Sequence, residues 1–257
     1  GGNFAPFTIN KSLEVIGPND GIHPAYDTRN AEAVIDGTVV IQASDVTLSG
    51  FSVDAQNEPG DIVFGVEIKS PNSGINIYNN KISGADQGIR NQYRVAADEN
   101  SSDCGGSAGC DWEIKGNQIT IPDTVEQTGY IMHLYNLSGI TIENNYLRTS
   151  TESNRNGVNL RGVSNAVIKN NDIDMGQRAD DLGETKDWVA DYIDGTDGAS
   201  SYYGIQLIQT NNTYRDFEQP LNPLLPSKWN LFENDDVVKN IEISSNFISG
   251  ATHGVIA

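Results

Sequence analysis

Basic residues are scarce in this chain. Its 257 residues include 16 Lys and Arg against 35 Asp and Glu, which gives a formal net charge of −19. Such a surface repels nucleic acid and anionic lipid, and it suits cation binding or a salty exterior. We therefore expect nucleic acid not to be a partner of this chain.

Long apolar runs are missing as well. No run approaches the length that a membrane-spanning helix needs, so the sequence predicts no membrane span. The chain begins with Gly-Gly, and no segment typical of a signal peptide follows. We interpret residues 1–257 as a single domain, from a mature protein or from a longer chain.

Cysteine is nearly absent. The two cysteines, Cys104 and Cys110, lie in the Gly-rich polar stretch "CGGSAGC". Two thiols so close together predict a disulfide staple and an oxidising, extracellular compartment. A pair of free cytosolic thiols is the alternative, whereas a metal site is disfavoured because no further Cys exists and His is scarce.

Apolar residues at helical spacing are lacking too, and a short phrase is repeated instead. It reads "GINIYNNKI", "WEIKGNQI", "GITIENNYL", "NAVIKNNDI" and "NIEISSNFI", each time with an Asn before the last apolar residue. Phe51 holds the Asn position in an earlier variant, and the steps along the chain are 29, 37, 28, 26 and 75 residues. Repetition at this period is typical of a solenoid, in which neighbouring units must stack to bury their apolar faces. The repeated asparagines are Asn80, Asn117, Asn145, Asn171 and Asn246.

Each repeat carries a second phrase, a Gly followed by alternating apolar residues. Alternation with a period of two predicts short strands with one face buried. Together the two phrases predict three short strands in each coil. The second phrase reads "GVEIK", "GIRNQ", "GYIMHLY", "GVNLR", "GIQLI" and "GVIA", beginning at Gly65, Gly88, Gly129, Gly157, Gly204 and Gly254.

We expect the repeated Asn to lie at a sharp corner between two strands. Asn tolerates the left-handed backbone conformation of a tight turn. In stacked coils, equivalent Asn side chains lie one strand spacing apart and can form a hydrogen-bonded ladder. From about Val39 to Ala257 these features resemble the right-handed parallel β-helix proteins of the pectate-lyase-like superfamily. The predicted fold is therefore all-β, a right-handed parallel β-helix solenoid with long surface loop insertions; a β-sandwich with coincidental Asn turns is the alternative.

The resemblance implies many functions, including polysaccharide lyases, hydrolases, epimerases, tailspikes, adhesins and matrix components. The fold does not choose among them. In enzymes that the chain resembles, substrates lie along the outward face of the sheet formed by the Gly phrases. Alternation predicts that Val66, Ile68, Ile89, Met132, Leu134, Val158, Leu160, Ile205 and Leu207 point inward. The predicted outward set is Glu67, Lys69, Arg90, His133, Tyr135, Asn159, Arg161 and Gln206.

This outward set offers the groups that a lyase acting on a uronic-acid polymer needs. Arg161 or Arg90 would neutralise the carboxylate, His133 or Lys69 would take the C5 proton, and Tyr135 would protonate the leaving oxygen. The alternative is an ordinary polar solvent face, and a slip of one residue would send His133 inward. No paired-Asp hydrolase motif and no Arg-x-Pro segment accompanies this set.

Two insertions flank the Gly204 strand. The first ends in "DYIDGTDG", where Asp191, Asp194 and Asp197 are candidate Ca²⁺ ligands, although an acidic solvated loop is the alternative. The second carries candidate carbohydrate-stacking aromatics, which could instead cover the flank of the solenoid. These aromatics are Tyr214, Phe217 and Trp229.

Both ends of the chain resemble uncapped strands, so we expect either a segment cut from a longer chain or subunits that stack end to end. Two hypotheses follow. The first is an extracellular or cell-surface, non-catalytic structural or adhesive module that stacks into filaments and binds Ca²⁺. The second is a polysaccharide lyase, or a related carbohydrate-active enzyme, acting on an acidic polysaccharide.

Overall fold

The structure is a computed structural model, and it describes residues 2–56, 62–69, 72–91, 110–122, 129–135, 137–149, 155–176, 203–208, 239–249, 251 and 253–256. These residues form strands and turns, with no helix among them. Accordingly, the described part of the chain offers no helix long and apolar enough to cross a membrane.

The strands form three sheets. Sheet A contains β1 (Gly2–Phe4), β4 (Ala33–Asp36), β7 (Ser52–Asp54), β10 (Lys81–Ser83), β13 (Gln118–Ile121), β16 (Tyr146–Thr149), β19 (Asp172–Asp174) and β22 (Phe247–Ser249). Sheet B contains β2 (Phe7–Ile9), β5 (Val39–Ile41), β8 (Phe64–Ile68), β11 (Gln87–Asn91), β14 (Gly129–Tyr135), β17 (Arg155–Arg161), β20 (Tyr203–Ile208) and β23 (His253–Ile256). Sheet C contains β3 (Leu13–Ile16), β6 (Val46–Ser49), β9 (Ile75–Tyr78), β12 (Trp112–Lys115), β15 (Ser138–Glu143), β18 (Ser164–Lys169) and β21 (Lys239–Ser244).

The chain winds through the sheets in the order A, B, C and then returns to A. Each strand pairs in parallel with the strand one coil away, for example β14 with β11 and β17. Parallel pairing at every described step, with one strand of each sheet per coil, defines an all-β parallel β-helix solenoid. The fold class predicted from the repeat is confirmed.

The core is a set of aliphatic stacks that run along the solenoid axis. In sheet A, paired residues such as Ile82, Ile119 and Leu147 lie directly over one another and are fully buried. The predicted inward set of sheet B is likewise buried, and Leu207 is partly buried against the core. Burial of these stacks is the main stabilisation of a solenoid, because no single coil can cover its own apolar face.

A column of glycines lets sheets A and B approach each other. A methyl group built onto Gly88 would lie 2.3 Å from Cγ2 of Ile119 and 2.6 Å from the carbonyl oxygen of Ile131. The alignment of "GYIMHLY" on Gly129 was wrong, because Ile131 holds this position in β14 and Gly129 pairs with Arg155 instead. Close packing at this position is therefore achieved without glycine in one coil, where Ile131 replaces it.

Gly88→Ala is expected to lower the free energy of unfolding by about 1–3 kcal/mol, since a carbonyl oxygen blocks the new methyl group and overpacking forces the backbone to shift. Gly254→Ala is the matched control, because no described atom lies within 4 Å of a methyl group there. Chemical denaturation of both variants measures the difference. Equal stabilities would contradict the packing described for Gly88.

The repeated asparagines form hydrogen bonds from coil to coil along the corner between sheets C and A. Oδ1 of Asn145 accepts from the backbone N–H of Asn117 at 3.0 Å and from its Nδ2 at 3.0 Å. Nδ2 of Asn145 donates to the carbonyl oxygen of Ile114 at 2.8 Å and to Oδ1 of Asn171 at 2.9 Å. Asn80 and Asn246 continue the same pattern at either end.

The left-handed conformation expected of these asparagines belongs instead to the residue before each of them. Asn144 has φ of 55°, for example, whereas Asn145 does not have a positive φ. A second left-handed residue lies five positions earlier, so a pair lies at the two ends of every strand of sheet C except β3. The bracketing pairs are Asp45 and Gly50, Gly74 and Asn79, Asp111 and Gly116, Gly139 and Asn144, Asn165 and Asn170, and Asn240 and Ser245.

Residues 17–32, between β3 and β4, form a segment that we call the strap. It lies over the corner with the asparagines and runs along the axis. The Arg29 side chain, 8% exposed, pairs with Glu32 at 2.7 Å and donates from Nη1 to the carbonyl oxygen of Asn79 at 2.9 Å. Nε2 of His23 lies 2.8 Å from the carbonyl oxygen of Asn144. The strap thus joins coils that are distant in sequence.

Candidate functional site

The outer face of sheet B brings most of the predicted outward residues together. Adjacent strands β8, β11, β14, β17 and β20 place one polar residue each in a single row, spaced by about 4.8 Å per strand. Tyr135 and Arg161 pair with each other in a neighbouring row, and Lys69 follows the end of β8. We call this surface the sheet B face; its central row is Glu67, Arg90, His133, Asn159 and Gln206.

His133 lies at the centre of this face and is only 5% exposed, although it points away from the core. The ring of Tyr130 stacks on it with centroids 3.9 Å apart, and the ring of Tyr135 lies at 4.3 Å. The hydroxyl oxygen of Tyr135 is 3.2 Å from Nδ1 of His133. Burial, and then the positive charges of Arg161 and Arg90, lower the pKa of His133 to about 3. The imidazole is therefore neutral near pH 7.

Neutral imidazole gives the site two possible proton arrangements. When the hydroxyl of Tyr135 donates to Nδ1, Nε2 of His133 carries the hydrogen and is a donor to a ligand. When Nδ1 carries the hydrogen, Nε2 presents a lone pair that can accept a proton. One arrangement suits binding and the other suits base catalysis.

Two arginines flank His133 on the neighbouring strands. The guanidinium carbon of Arg90 lies 4.7 Å from the ring centroid of Phe64, and that of Arg161 lies 5.7 Å from the ring centroid of Tyr135. Nε of Arg161 also donates to Oδ1 of Asn159 at 3.1 Å. These contacts hold both guanidinium groups against the sheet, where they can pair with a carboxylate.

Lys69 behaves differently from the two arginines. Its Nζ lies 3.5 Å from Oε2 of Glu67, and the side chain is 39% exposed. A partly exposed ion pair such as Lys69–Glu67 contributes little to stability. Of the two candidate bases, only His133 contacts Tyr135 among the described contacts.

Several buried polar atoms on this face lack a hydrogen-bond partner within the described residues. They are Oε1 of Gln87, Oδ1 of Asn156, Nε2 of His133 and Nε of Arg90. Gln87 and Asn156 lie on either side of Tyr130 in the sheet. A buried polar atom without a partner costs about 1–3 kcal/mol, so a hydrogen bond from a water or from a ligand group to any of these atoms would be stabilising.

Simple alternation missed Phe64, Gln87, Tyr130 and Asn156. Each lies three residues before a member of the central row, because the glycine position and the residue after it are both buried. Gly88 and Ile89, for example, both lie against the core between Gln87 and Arg90. For Phe64, Gln87 and Asn156 the signal was the glycine that follows, which marks the break in alternation. Tyr130 is followed by Ile131 and carries no such signal.

Other predicted site residues lie outside the described residues. They are the aromatics Tyr214, Phe217 and Trp229, the carboxylates Asp191, Asp194 and Asp197, and Cys104. The Ca²⁺ site and the Cys104–Cys110 disulfide therefore stay predictions. Cys110 itself is fully buried at the start of the sheet C segment, and its Sγ accepts from the backbone N–H of Ser138 at 3.4 Å. Within the part of the chain that the structure describes, no group of three or more His, Cys, Asp or Glu could hold a metal ion.

No family model, curated protein or solved structure matches this chain. The fold and the sheet B face thus define its class, a parallel β-helix solenoid with a cationic and aromatic surface on one sheet.

Proposed function

We propose that the protein is an extracellular, non-catalytic adhesive module that binds an acidic polysaccharide along the sheet B face. One observation carries the proposal: on a chain of net charge −19, this face joins two immobilised arginines to aromatic rings and to buried, unpartnered polar atoms. Arginine suits carboxylates, aromatic rings suit the apolar faces of sugars, and amide oxygens accept from hydroxyls. An acidic sugar chain offers all three groups.

Net repulsion does not prevent such binding. At physiological salt the Debye length is about 8 Å, so most acidic groups elsewhere on the surface are screened from the bound chain. Arg90 and Arg161 act by direct contact and are screened much less. The row of polar residues follows the solenoid axis, so an extended polymer would cross several strands.

The proposal also covers the superfamily, the location and the assembly of the protein. Membership of the pectate-lyase-like superfamily is supported by the parallel coils and the asparagine hydrogen bonds along one corner. A location outside the cell or on its surface is supported by the acidic composition and the close cysteine pair. End-to-end stacking of subunits and Ca²⁺ binding in the acidic insertion complete the proposed structural role.

The binding test compares a polyuronate with a neutral polymer by isothermal titration calorimetry. We expect the wild type to bind the polyuronate, and Arg90→Gln with Arg161→Gln to weaken binding at least tenfold, since each arginine supplies a charge-assisted hydrogen bond. Lys115→Gln with Lys169→Gln is the control, because it removes the same two charges from sheet C. There Lys115 pairs with Glu113 at 2.8 Å and Lys169 pairs with Glu143 at 3.3 Å.

Failure of the wild type to bind any polyuronate or glycosaminoglycan would overturn the proposal. Equal affinities of the arginine double variant and the lysine double control would also contradict it, because the arginines would then play no specific part.

A lyase is the second candidate, favoured by the contact between His133 and Tyr135 beside the two arginines. In this mechanism Arg161 or Arg90 neutralises the uronate carboxylate, neutral His133 takes the C5 proton, and Tyr135 protonates the leaving oxygen. Incubation with alginate, pectin and glycosaminoglycans, followed by the absorbance of the unsaturated product, separates the two candidates. Product formation that disappears in His133→Gln would replace the non-catalytic proposal.

A further inference from the structure

An exposed tyrosine, Tyr26, lies in the strap and packs against sheet A, not against sheet B. Tyr26 is 64% exposed, yet three contacts hold its ring. It stacks on His23 with centroids 4.5 Å apart, meets the ring of Tyr146 edge-on at 5.8 Å, and points its hydroxyl at Oδ2 of Asp172, 3.5 Å away. Partial burial and the Asp172 carboxylate raise the pKa of Tyr26, so its hydroxyl stays protonated.

The strap itself is anchored firmly. The buried side chain of Arg29 bonds to the carbonyl oxygens of Ile22 at 3.0 Å and of Asn79 at 2.9 Å, as well as to Glu32. An aromatic ring that is exposed but already immobilised loses little conformational entropy when a ligand packs against it. This arrangement favours binding at Tyr26.

The surface beside Tyr26 mixes aromatic rings with charged groups. On the outer side of sheet A, Tyr146, Asp172 and Phe247 lie opposite one another on β16, β19 and β22. Phe247 is 66% exposed. Arg148 lies with its guanidinium carbon 4.1 Å from the ring centroid of Tyr146 and bonds to Asp174.

Arg148 adds an unused donor to this surface. Its Nε is buried and has no hydrogen-bond partner within the described residues. The side chain is fixed by Tyr146 on one side and Asp174 on the other, so the free N–H has a defined direction. The side chain as a whole is 37% exposed, so the guanidinium is also accessible to a ligand hydroxyl.

We propose that this sheet A surface is a second saccharide site, which takes an uncharged glycan. One pyranose ring packs against Tyr26 and a second packs against Phe247, while hydroxyls pair with Asp172 and with Arg148. Tyr26 contacts Tyr146, and the backbones of Tyr146 and Phe247 are two strand spacings apart, about 9.6 Å, a separation that a disaccharide spans. The site is independent of the proposed function of sheet B.

The chemistry of the surface selects this ligand. The core of a protein–protein interface is depleted of Asp, whereas here Asp172 lies between Tyr146 and Phe247, and Asp174 lies in the next row beside Arg148. Two carboxylates against one guanidinium disfavour an anionic chain, which is the ligand proposed for sheet B. Aromatic faces with interspersed planar polar groups suit the apolar faces and the hydroxyls of a neutral sugar.

The test titrates wild type with neutral hexasaccharides of glucose, xylose, mannose and N-acetylglucosamine, with affinity measured by calorimetry or by NMR. We expect at least one to bind, and Tyr26→Ala and Phe247→Ala each to weaken it tenfold or more. Tyr26→Phe should retain most of the affinity, because it keeps the ring. Ile16→Ala is the control, since Ile16 is 50% exposed on β3 in sheet C.

Phe247→Ala keeps the test decisive if Tyr26→Ala disturbs the strap, since Phe247 lies on β22 and not on the strap. Absence of binding by every neutral hexasaccharide at millimolar concentration would overturn the proposal. So would affinities unchanged in both alanine variants, or a loss of polyuronate binding in these variants. Polyuronate binding by the wild type is measured in parallel, so failure of the sheet B proposal is seen separately.

Discussion

Asn145→Val is expected to lower the free energy of unfolding by roughly 3–5 kcal/mol. The side chain of Asn145 is 1% exposed and makes hydrogen bonds in both directions along the axis. Its removal leaves the backbone N–H of Asn117 and the carbonyl oxygen of Ile114 without these partners in a buried corner, at about 1–3 kcal/mol each. Loss of a connected network adds to these costs. Chemical denaturation measures the change.

Two controls separate the effect of the asparagine hydrogen bonds from the effect of the left-handed residue before them. Asn246→Val should cost less, because Asn246 is partly exposed and water can replace its hydrogen bonds. Asn144→Gly should be nearly neutral, because Asn144 has a positive φ that glycine adopts freely, whereas Asn145→Gly should be strongly destabilising. If the two glycine variants were equally stable, the distinct roles described for these neighbours would be wrong.

Acid is expected to destabilise the fold through His133 by about 2 kcal/mol between pH 8 and pH 5. The unfolded state takes up a proton near the ordinary histidine pKa of about 6.5, whereas the folded state does so only near 3. The unfolded state therefore binds more protons between these values, and stability falls as the pH falls through this range. Glu32 and Glu113, whose pKa values are lowered in the folded state, lose their stabilising effect mainly below the ordinary glutamate pKa of about 4.5.

The measurement is the difference in unfolding free energy between wild type and His133→Gln at several pH values. This difference should shift by about 2 kcal/mol against the wild type from pH 8 to pH 5. Arg161→Gln should raise the pKa of His133, because it removes a nearby positive charge, and NMR titration of the imidazole reports this directly. Parallel stability curves for wild type and His133→Gln would show that His133 is not buried as described.

Periodicity in the sequence was sufficient for the fold. Alternation identified Val66, Ile89 and Val158 as buried residues of one stack, and the repeated Asn marked the corner between sheets C and A. These features are local and recur along the chain, so a wrong prediction for one coil is revealed by comparison with the other coils. The left-handed position was displaced by one residue, because the sequence shows two polar residues at the corner without showing which one has positive φ.

The candidate sites were predicted less completely. The sequence placed Arg90, His133 and Arg161 on one face, but it did not show that Tyr130 and Tyr135 bury the imidazole. That burial arises between strands that are neighbours only after the coils have stacked. The position of the strap could not be predicted for the same reason. Tyr26 contacts Tyr146 only because the strap crosses several coils, and no local sequence pattern indicates that crossing.

The pairs of left-handed residues at the ends of the sheet C strands β6 to β21 have a consequence for how this molecule can be altered. Between Gly139 and Asn145, a single inserted residue would turn apolar side chains outward and shift the asparagine out of its ladder. The connections from sheet A to sheet B, by contrast, differ widely in length, from residues 37–38 between β4 and β5 to residues 175–202 between β19 and β20. Each coil therefore combines a sheet C strand of fixed length with a connection of variable length. Foreign loops could be inserted into such connections while the solenoid keeps its register.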